Sequence, residues 1–425
     1  MTAAEAPAAE LRHDPYASLR RPAFRWFIVS LLAMTISSQI QVIVVSWQIY
    51  DITRDPLSLG LIGLAEALPF IGAALYAGHV ADRFDRRRIS IAALALLVLC
   101  AVALLSFSFI PSILRHGVWA FYVIIAVSGL ARSFLQPARN ALGAEIVPRE
   151  LYHNAIAWRS STWQTAAVIG PALGGMLYGF GGPRIAYVVQ AVLMVVAFLS
   201  FTRVRYDRRV SSQSVQQPMR ESLTVGLRFV WSQPVLLGAL TLDLFSVLLG
   251  GAEALLPVFA DQILHVGPQG LGVLRAAPAA GAVLMSIFLA HRPPFRRAGM
   301  TLLLAVGTFA LCIVGFGFSR SVSLSTMLLL LSGMADNVSV LIRSTLIQVL
   351  TPTEMLGRVS AVNSIFIGSS NEIGAFESGV AARLLGTVPS VVAGGIASLA
   401  VVGIVALSVP RLRRMRVIGA LEPAS

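Results

Sequence analysis

The chain has 425 residues, 56% of them hydrophobic and only 12% charged, with a mean hydropathy of +0.78. Soluble domains carry about 25% charged residues, so two or three water-facing domains are excluded and a multi-spanning membrane protein is expected. The formal net charge is +13 and all 33 basic residues are Arg, which removes Schiff-base lysines and the lysine of a phosphate-binding loop. The two cysteines, Cys100 and Cys312, lie inside apolar runs and leave neither a disulfide framework nor a Cys-rich metal site.

Residues 1–22 are polar and Ala/Glu-rich, lack the apolar core of a signal peptide, and are expected to be a disordered tail. A bilayer-spanning helix needs about 20 mostly apolar residues. Such runs are predicted near 23–50, 57–81, 89–110, 118–140, 155–180 and 184–203, which form a first six-helix bundle over 23–203. The polar stretch 204–233 follows as a linker. Leu223, Leu227, Phe229 and Val230, with Arg220 and Arg228 beside them, predict a short amphipathic interfacial helix within it. Six more runs follow, near 234–260, 269–291, 298–318, 321–347, 358–384 and 387–409, a second bundle over 234–409 ahead of a polar tail at 410–425. The fold class is therefore all-α, with twelve transmembrane helices in two six-helix bundles.

Even-numbered loops and the tails hold nearly all the Arg, among them Arg83, Arg86, Arg87 and Arg88 after span 2 and Arg411, Arg413 and Arg414 at the close. The odd loops hold single arginines such as Arg54, Arg184 and Arg320. By the positive-inside rule both termini are expected to face the cytoplasm. The basic excess is thus a topology signal, and nucleic acid is not an expected partner.

An internal repeat relates the halves. Setting 129–175 against 333–379 without gaps gives eleven identities, including Gly129/Gly333, Arg139/Arg343, Pro148/Pro352, Gly170/Gly374 and Gly175/Gly379. A second match pairs 66–78 with 275–287. Parallel repeats of this kind place a substrate path between the halves.

Three motifs carry a family resemblance: Gly78-His-Val-Ala-Asp82-Arg83-Phe-Asp85-Arg86-Arg87-Arg88, Gly170-Pro171-Ala-Leu-Gly174-Gly175, and Thr351-Pro352-Thr-Glu354-Met-Leu-Gly357-Arg358. With the span count and the repeat, they make the chain resemble the major facilitator superfamily, and within it the enterobactin-exporter and drug-efflux branch. Asp85 stands where a second Gly is usual, Ala166 replaces the leading Gly of the second motif, and His291 stands at the Asp82 position in the second half. The resemblance implies that spans 1, 4, 7 and 10 line a central cavity and that spans 2 with 11, and 5 with 8, form the seams. Gly78, Asp82, Arg83 and Arg86 are expected to latch the halves, because a carboxylate closing a helix at the cytoplasmic face can pair with nearby arginines. Gly170, Pro171, Gly174 and Gly175 are expected to form a hinge, since glycines allow close helix approach and proline bends.

An ionisable residue at bilayer depth costs roughly 3 kcal/mol or more and faces a cavity or a partner. Seven are expected on the substrate or proton pathway: Glu66, Arg132, Asp243, Arg275, Asp336, Glu372 and Glu377. Arg132 and Asp336 are equivalent in the repeat and, with Asp243, form the main expected cluster. Glu66 and Glu377 are expected to approach each other at one seam, where two close carboxylates hold a proton. Arg159 reads as a snorkelling residue, and Asp51, Glu253 and Asp261 as rim residues. Ser37, Gln39, Gln41, Ser46 and Gln48 of span 1 are expected to line the cavity or to join helices.

Together these point to a secondary transporter, a proton-coupled exporter of a small amphipathic or anionic organic molecule such as a siderophore or drug. A lipid or lysolipid flippase, or a non-transporting membrane sensor, is the alternative. No nucleophile–base spacing, nucleotide loop or metal motif supports an enzyme, a cofactor or a metal centre, and a monomer is expected.

Overall fold

The computed structural model describes residues 14–109, 118–205, 219–293, 295–352 and 355–415, and among them every regular element is a helix. Most of the expected tails, the start of the linker at 206–218 and Glu354 of the third motif lie outside the described residues, as does the side chain of Asp82. In chain order the helices are α1 (Pro22–Thr53), α2 (Pro56–Arg83), α3 (Arg86–Phe107), α4 (Trp119–Glu145), α5 (Tyr152–Thr202), α6 (Met219–Ser232), α7 (Pro234–Leu249), α8 (Gly267–Ala290), α9 (Ala298–Phe318), α10 (Val322–Leu350), α11 (Leu356–Leu385), α12 (Thr387–Ser408) and the short α13 (Pro410–Arg414).

Ten helical stretches among the described residues are long and apolar enough to cross a membrane. The expected twelve differs from that number in two places. The stretch Arg149–Thr202 runs 54 residues, about 80 Å at 1.5 Å per residue and more than twice the hydrocarbon thickness. It turns back at Gly182, whose φ of 69 and following Pro183 break the helix into two arms. α11 is 30 residues long, yet Glu372, Asn371 and Glu377 leave it too polar to count.

Helix starts follow local chemistry. Proline opens α1, α2 and α7 at Pro22, Pro56 and Pro234, where the absent N–H has no partner to lose. The Asp55 carboxylate accepts from Leu57 N at 3.0 Å, and that of Asp85 from Arg87 N at 2.8 Å and Arg88 N at 3.2 Å, capping α2 and α3. The expected span 7 is not one helix. After Leu249 it breaks at Gly250–Gly251, then continues as a 3₁₀ turn (Ala252–Leu255) and a π turn (Phe259–Ile263). Gly251 lies against α11, where a Cβ would sit 3.1 Å from Gly374 O, so the backbone leaves its axis at that contact.

In the first half, α1 lies between the two arms of α5. Ser37 Oγ donates to Gln190 O (2.8 Å), Gln190 Nε2 to Gln41 Oε1 (3.1 Å) and Tyr187 Oη to Gln48 Oε1 (2.7 Å). Those polar residues of span 1 therefore fasten helices together, and van der Waals fit with interhelical hydrogen bonds is what holds helices in lipid. Gln39 packs on Gly170.

The halves meet along two seams, α2 with α11 and α5 with α8. A Cβ on Gly175 would lie 2.8 Å from Gly272 Cα, and one on Gly379 would lie 2.8 Å from Gly60 Cα. The repeat makes Gly379 the counterpart of Gly175 and Gly63 the counterpart of Gly272. Gly63, however, faces Glu372 O (2.9 Å) and Ala375, not Gly379. One seam is slipped by a helical turn relative to the other.

One apolar core joins both halves. Ile43, Trp47, Tyr50 and Leu59 of the first half pack with Leu255, Leu256, Phe259, Leu271 and Leu274 of the second, at the end opposite the termini. At the terminus-bearing end the buried clusters of the two halves are separate: Phe24, Phe27, Leu135 and Leu142 in one, Leu302, Ile342, Leu346 and Leu412 in the other. The molecule is closed at the far end and parted at the end bearing its termini. α6 docks on the second half through Val230, which joins Leu236, Leu240 and Val359 in a small core.

Candidate functional site

The membrane charges sort into two networks. In the second half, Arg343 of α10 is paired with Asp243 of α7, their side chains 5% and 9% exposed. Asp336, two turns earlier on α10, has no hydrogen bond or ion pair among the described residues and lies within electrostatic range of Asp243 and Arg343. Asp243, Ser246, Asp336 and Ser339 share a cavity of about 10 Å³ with Val306 and Phe309. Two acids thus share one guanidinium.

The second network crosses the α2/α11 seam. Arg132 of α4 is paired with Glu66 of α2, and Glu372 of α11 interacts electrostatically with Glu66, Arg132 and Arg275. The slipped register brings Glu372 level with Gly63, one turn from Glu66.

These positions differ from the expected cluster. Arg132 is held by Glu66 within its own half and is not joined to Asp243 or Asp336; equal depth along two helices does not fix which way they face. Glu66 has Glu372 as its acidic neighbour across the seam. Among the described residues, Glu377 accepts a 3.5 Å contact from the adjacent Ser378. Arg275 is tied to Glu253 at 3.3 Å and to its carbonyl at 3.0 Å. Sequence reasoning marks Arg343 only as a repeat identity, although it stands seven residues inside the end of α10 and its side chain reaches the depth of Asp243. Arg139, its counterpart in α4, is missed in the same way. The signal that could have found them is an arginine inside each of two equivalent apolar helices.

Of the expected latch, the Asp82 side chain lies outside the described residues, and the rest of the loop motif makes the following contacts. Arg86 pairs with Glu145, while Arg87 donates to Val204 O (2.7 Å) and Thr202 O (2.5 Å). Together with the Asp85 cap, these contacts tie α2, α3, α4 and the end of α5 within one half. Gly170 and Gly174 of the second motif pack on Gln39 and Ile40 of α1, and Gly175 forms the seam with α8. Pro171 O lies against Gly272, and Gly78 is half-buried.

Ion pairs between the halves occur at the far end: Arg54 with Asp261 (2.5 Å) and Arg383 with Asp55 (3.2 Å). Arg54 is 52% exposed, and exposed pairs contribute about 0–1 kcal/mol. Arg54→Gln is therefore expected to lower the thermal melting midpoint of the purified protein by no more than about 2 °C.

A family model described as "Transmembrane secretion effector" matches residues 13–421. The enterobactin exporter EntS of Shigella flexneri is 28% identical over 403 residues, 93% of each chain. Its namesake from Escherichia coli O139:H28 is 27% identical, covering 93% of this chain and 94% of its own. Among solved structures, a nucleoside transporter, NupG, superposes with a TM-score of 0.72 at 11% identity, covering 91% of this chain and all of its own. A bacterial homologue of the human lysosomal transporter Spinster, in an inward-facing, occupied conformation, gives 0.70 at 14% identity over 97% of this chain and 100% of its own. Similarities at that identity establish the fold.

Proposed function

The chain belongs to the transmembrane secretion effector family of major facilitator transporters, and from that premise we propose that it exports a small anionic or amphipathic organic molecule by proton-coupled alternating access. Export is supported by the relatives, which are named enterobactin exporters. The terminus-bearing end collects the arginines of the even loops and is assigned to the cytoplasm. The conformation described above is then open to the cytoplasm and closed to the outside, the state that loads cargo for export.

The observation that carries proton coupling is the excess of acid in the Asp243–Arg343–Asp336 group. With Arg343 committed to Asp243, a charge on Asp336 is uncompensated, and a proton on either acid removes the repulsion. Loading and losing that proton changes the net charge buried in the second half, which gives a gradient a handle on the conformation. Glu372 repeats the arrangement at the seam, where a proton taken up beside Glu66 relieves two acids sharing Arg132.

The test is transport in proteoliposomes under an imposed pH gradient, with enterobactin and the anionic dye fluorescein as probes. Asp336→Asn is expected to cut gradient-driven accumulation at least tenfold while leaving downhill exchange of the probe. Glu372→Gln is expected to weaken the response to the gradient less. If both variants accumulate probe at the parent rate with the parent's pH dependence, proton coupling through these acids is wrong.

A further inference from the structure

The arginines repeated between the halves are equivalent in sequence and opposite in circumstance. Arg343 is neutralised by Asp243. Arg139, its counterpart on α4, has no carboxylate among the described residues: its Nη1 reaches Met34 Sδ of α1, at 3.5 Å. Met34 occupies toward Arg139 the place that Asp243 occupies toward Arg343. A second cation stands beside it. Arg159 of α5 donates from Nη2 to Asn140 Oδ1 at 2.9 Å and rests over the Phe27 ring, with its guanidinium carbon 5.8 Å from the centroid. Among the described residues neither arginine has an acidic partner. In the second half the counterpart of Arg159 is Asn363, so that half carries no such surplus.

Both side chains line a cavity of about 320 Å³ near the terminus-bearing end, with Leu31, Asn140, Ile156, Ser160 and Trp163 completing its wall. Small-molecule pockets begin at about 300 Å³. A guanidinium presents parallel donors that match a carboxylate in bidentate fashion, and the Trp163 indole, 57% exposed, offers a face on which a ring can stack.

We propose that this pocket is a receptor for an aromatic carboxylate, its anionic group held between Arg139 and Arg159 and its ring against Trp163. It rests on the export reading and deepens it, because it names the chemical group through which cargo is first taken from the open side. The first half supplies two cations without counter-ions, and the ligand brings the missing negative charge. A buried or half-buried arginine is costly unless paired, so a site left unpaired in one half and paired in its duplicate is built for an ion that comes and goes.

The test is binding by the full-length protein in neutral detergent, measured by calorimetric titration with 2-naphthoate and with its uncharged analogue 2-naphthalenemethanol. The parent is expected to bind naphthoate at least tenfold more tightly than the alcohol. Arg139→Gln and Met34→Asp are each expected to erase that preference, and Arg159→Gln to reduce it about threefold or more. Met34→Asp supplies an internal carboxylate that pairs with Arg139 as Asp243 pairs with Arg343, so it keeps the test alive if Arg139→Gln fails to fold. Equal parental affinity for the two probes, an undiminished preference in both Arg139→Gln and Met34→Asp, or an equal loss of both probes in those variants overturns the proposal. The measurement needs no gradient. Charge-selective binding without proton-driven transport would remove the export reading alone, and transport without charge-selective binding would remove the pocket alone.

Discussion

Arg343→Gln is expected to be the most damaging single substitution in the chain, lowering stability by about 3–5 kcal/mol by leaving Asp243 charged and alone where it is 9% exposed. The size of the effect lies in the orphaned partner, since a buried pair offsets its own desolvation and a buried single charge does not. Asp243→Asn in the same background is expected to recover part of the loss, because two neutral amides at these positions hydrogen-bond to each other and leave no charge to bury. A double-mutant cycle read by melting temperature and monodisperse elution measures the coupling. A loss no greater than that of Arg54→Gln would mean that water reaches the pair.

Gly175→Val is expected to have the largest effect on transport, a loss of at least tenfold, without removing any ionisable group. At this position even a Cβ alone would meet Gly272 N at 2.9 Å and Gly272 Cα at 2.8 Å, atoms of backbone that cannot turn aside. The α5/α8 contact must open, and with it the far-end closure formed by the shared core around Leu59, Leu256 and Phe259. The population therefore moves away from the conformation described here. The check is maleimide labelling of Leu59→Cys in a background where Cys100 and Cys312 are replaced: protected in the parent, labelled in Gly175→Val. Gly379→Val, at the equivalent point of the other seam, is expected to act in the same direction.

Much of the fold was legible because lipid demands long apolar helices, and the runs near 298–318 and 387–409 coincide with α9 (Ala298–Phe318) and α12 (Thr387–Ser408) to within a residue. What hydropathy does not carry is how an apolar run is bent. The break at Gly250–Gly251 lies where the chain meets Gly374 on a distant helix; the Gly-Gly pair is its local signal, which the hydropathy of the run conceals. The site was legible in depth and not in direction. Asp243, Asp336, Arg132 and Glu66 are recognisable as membrane charges, yet their pairing depends on helix rotation, which one sequence does not fix. Arg343 and Arg139 escape notice because each stands nearer its helix end, where an arginine is usually taken to reach for water; the fold turns both inward instead.

The one-turn slip between the seams means that the molecule is a duplication whose copies no longer do the same work. A turn of helix is about 5.4 Å, enough to exchange which side chain of α11 stands level with Gly63 of α2. On the α5/α8 side the facing surfaces are glycine, proline and Gln269, a plain sliding contact. On the α2/α11 side the displaced register delivers Glu372 to the arginine of the opposite half. Mirror-equal halves would feel a proton identically and gain nothing by favouring one seam. Under the proposed proton coupling, the broken symmetry places the Glu66–Glu372–Arg132 group at one seam only, in addition to the Asp243–Arg343–Asp336 group inside the second half, and leaves the other seam as a bearing.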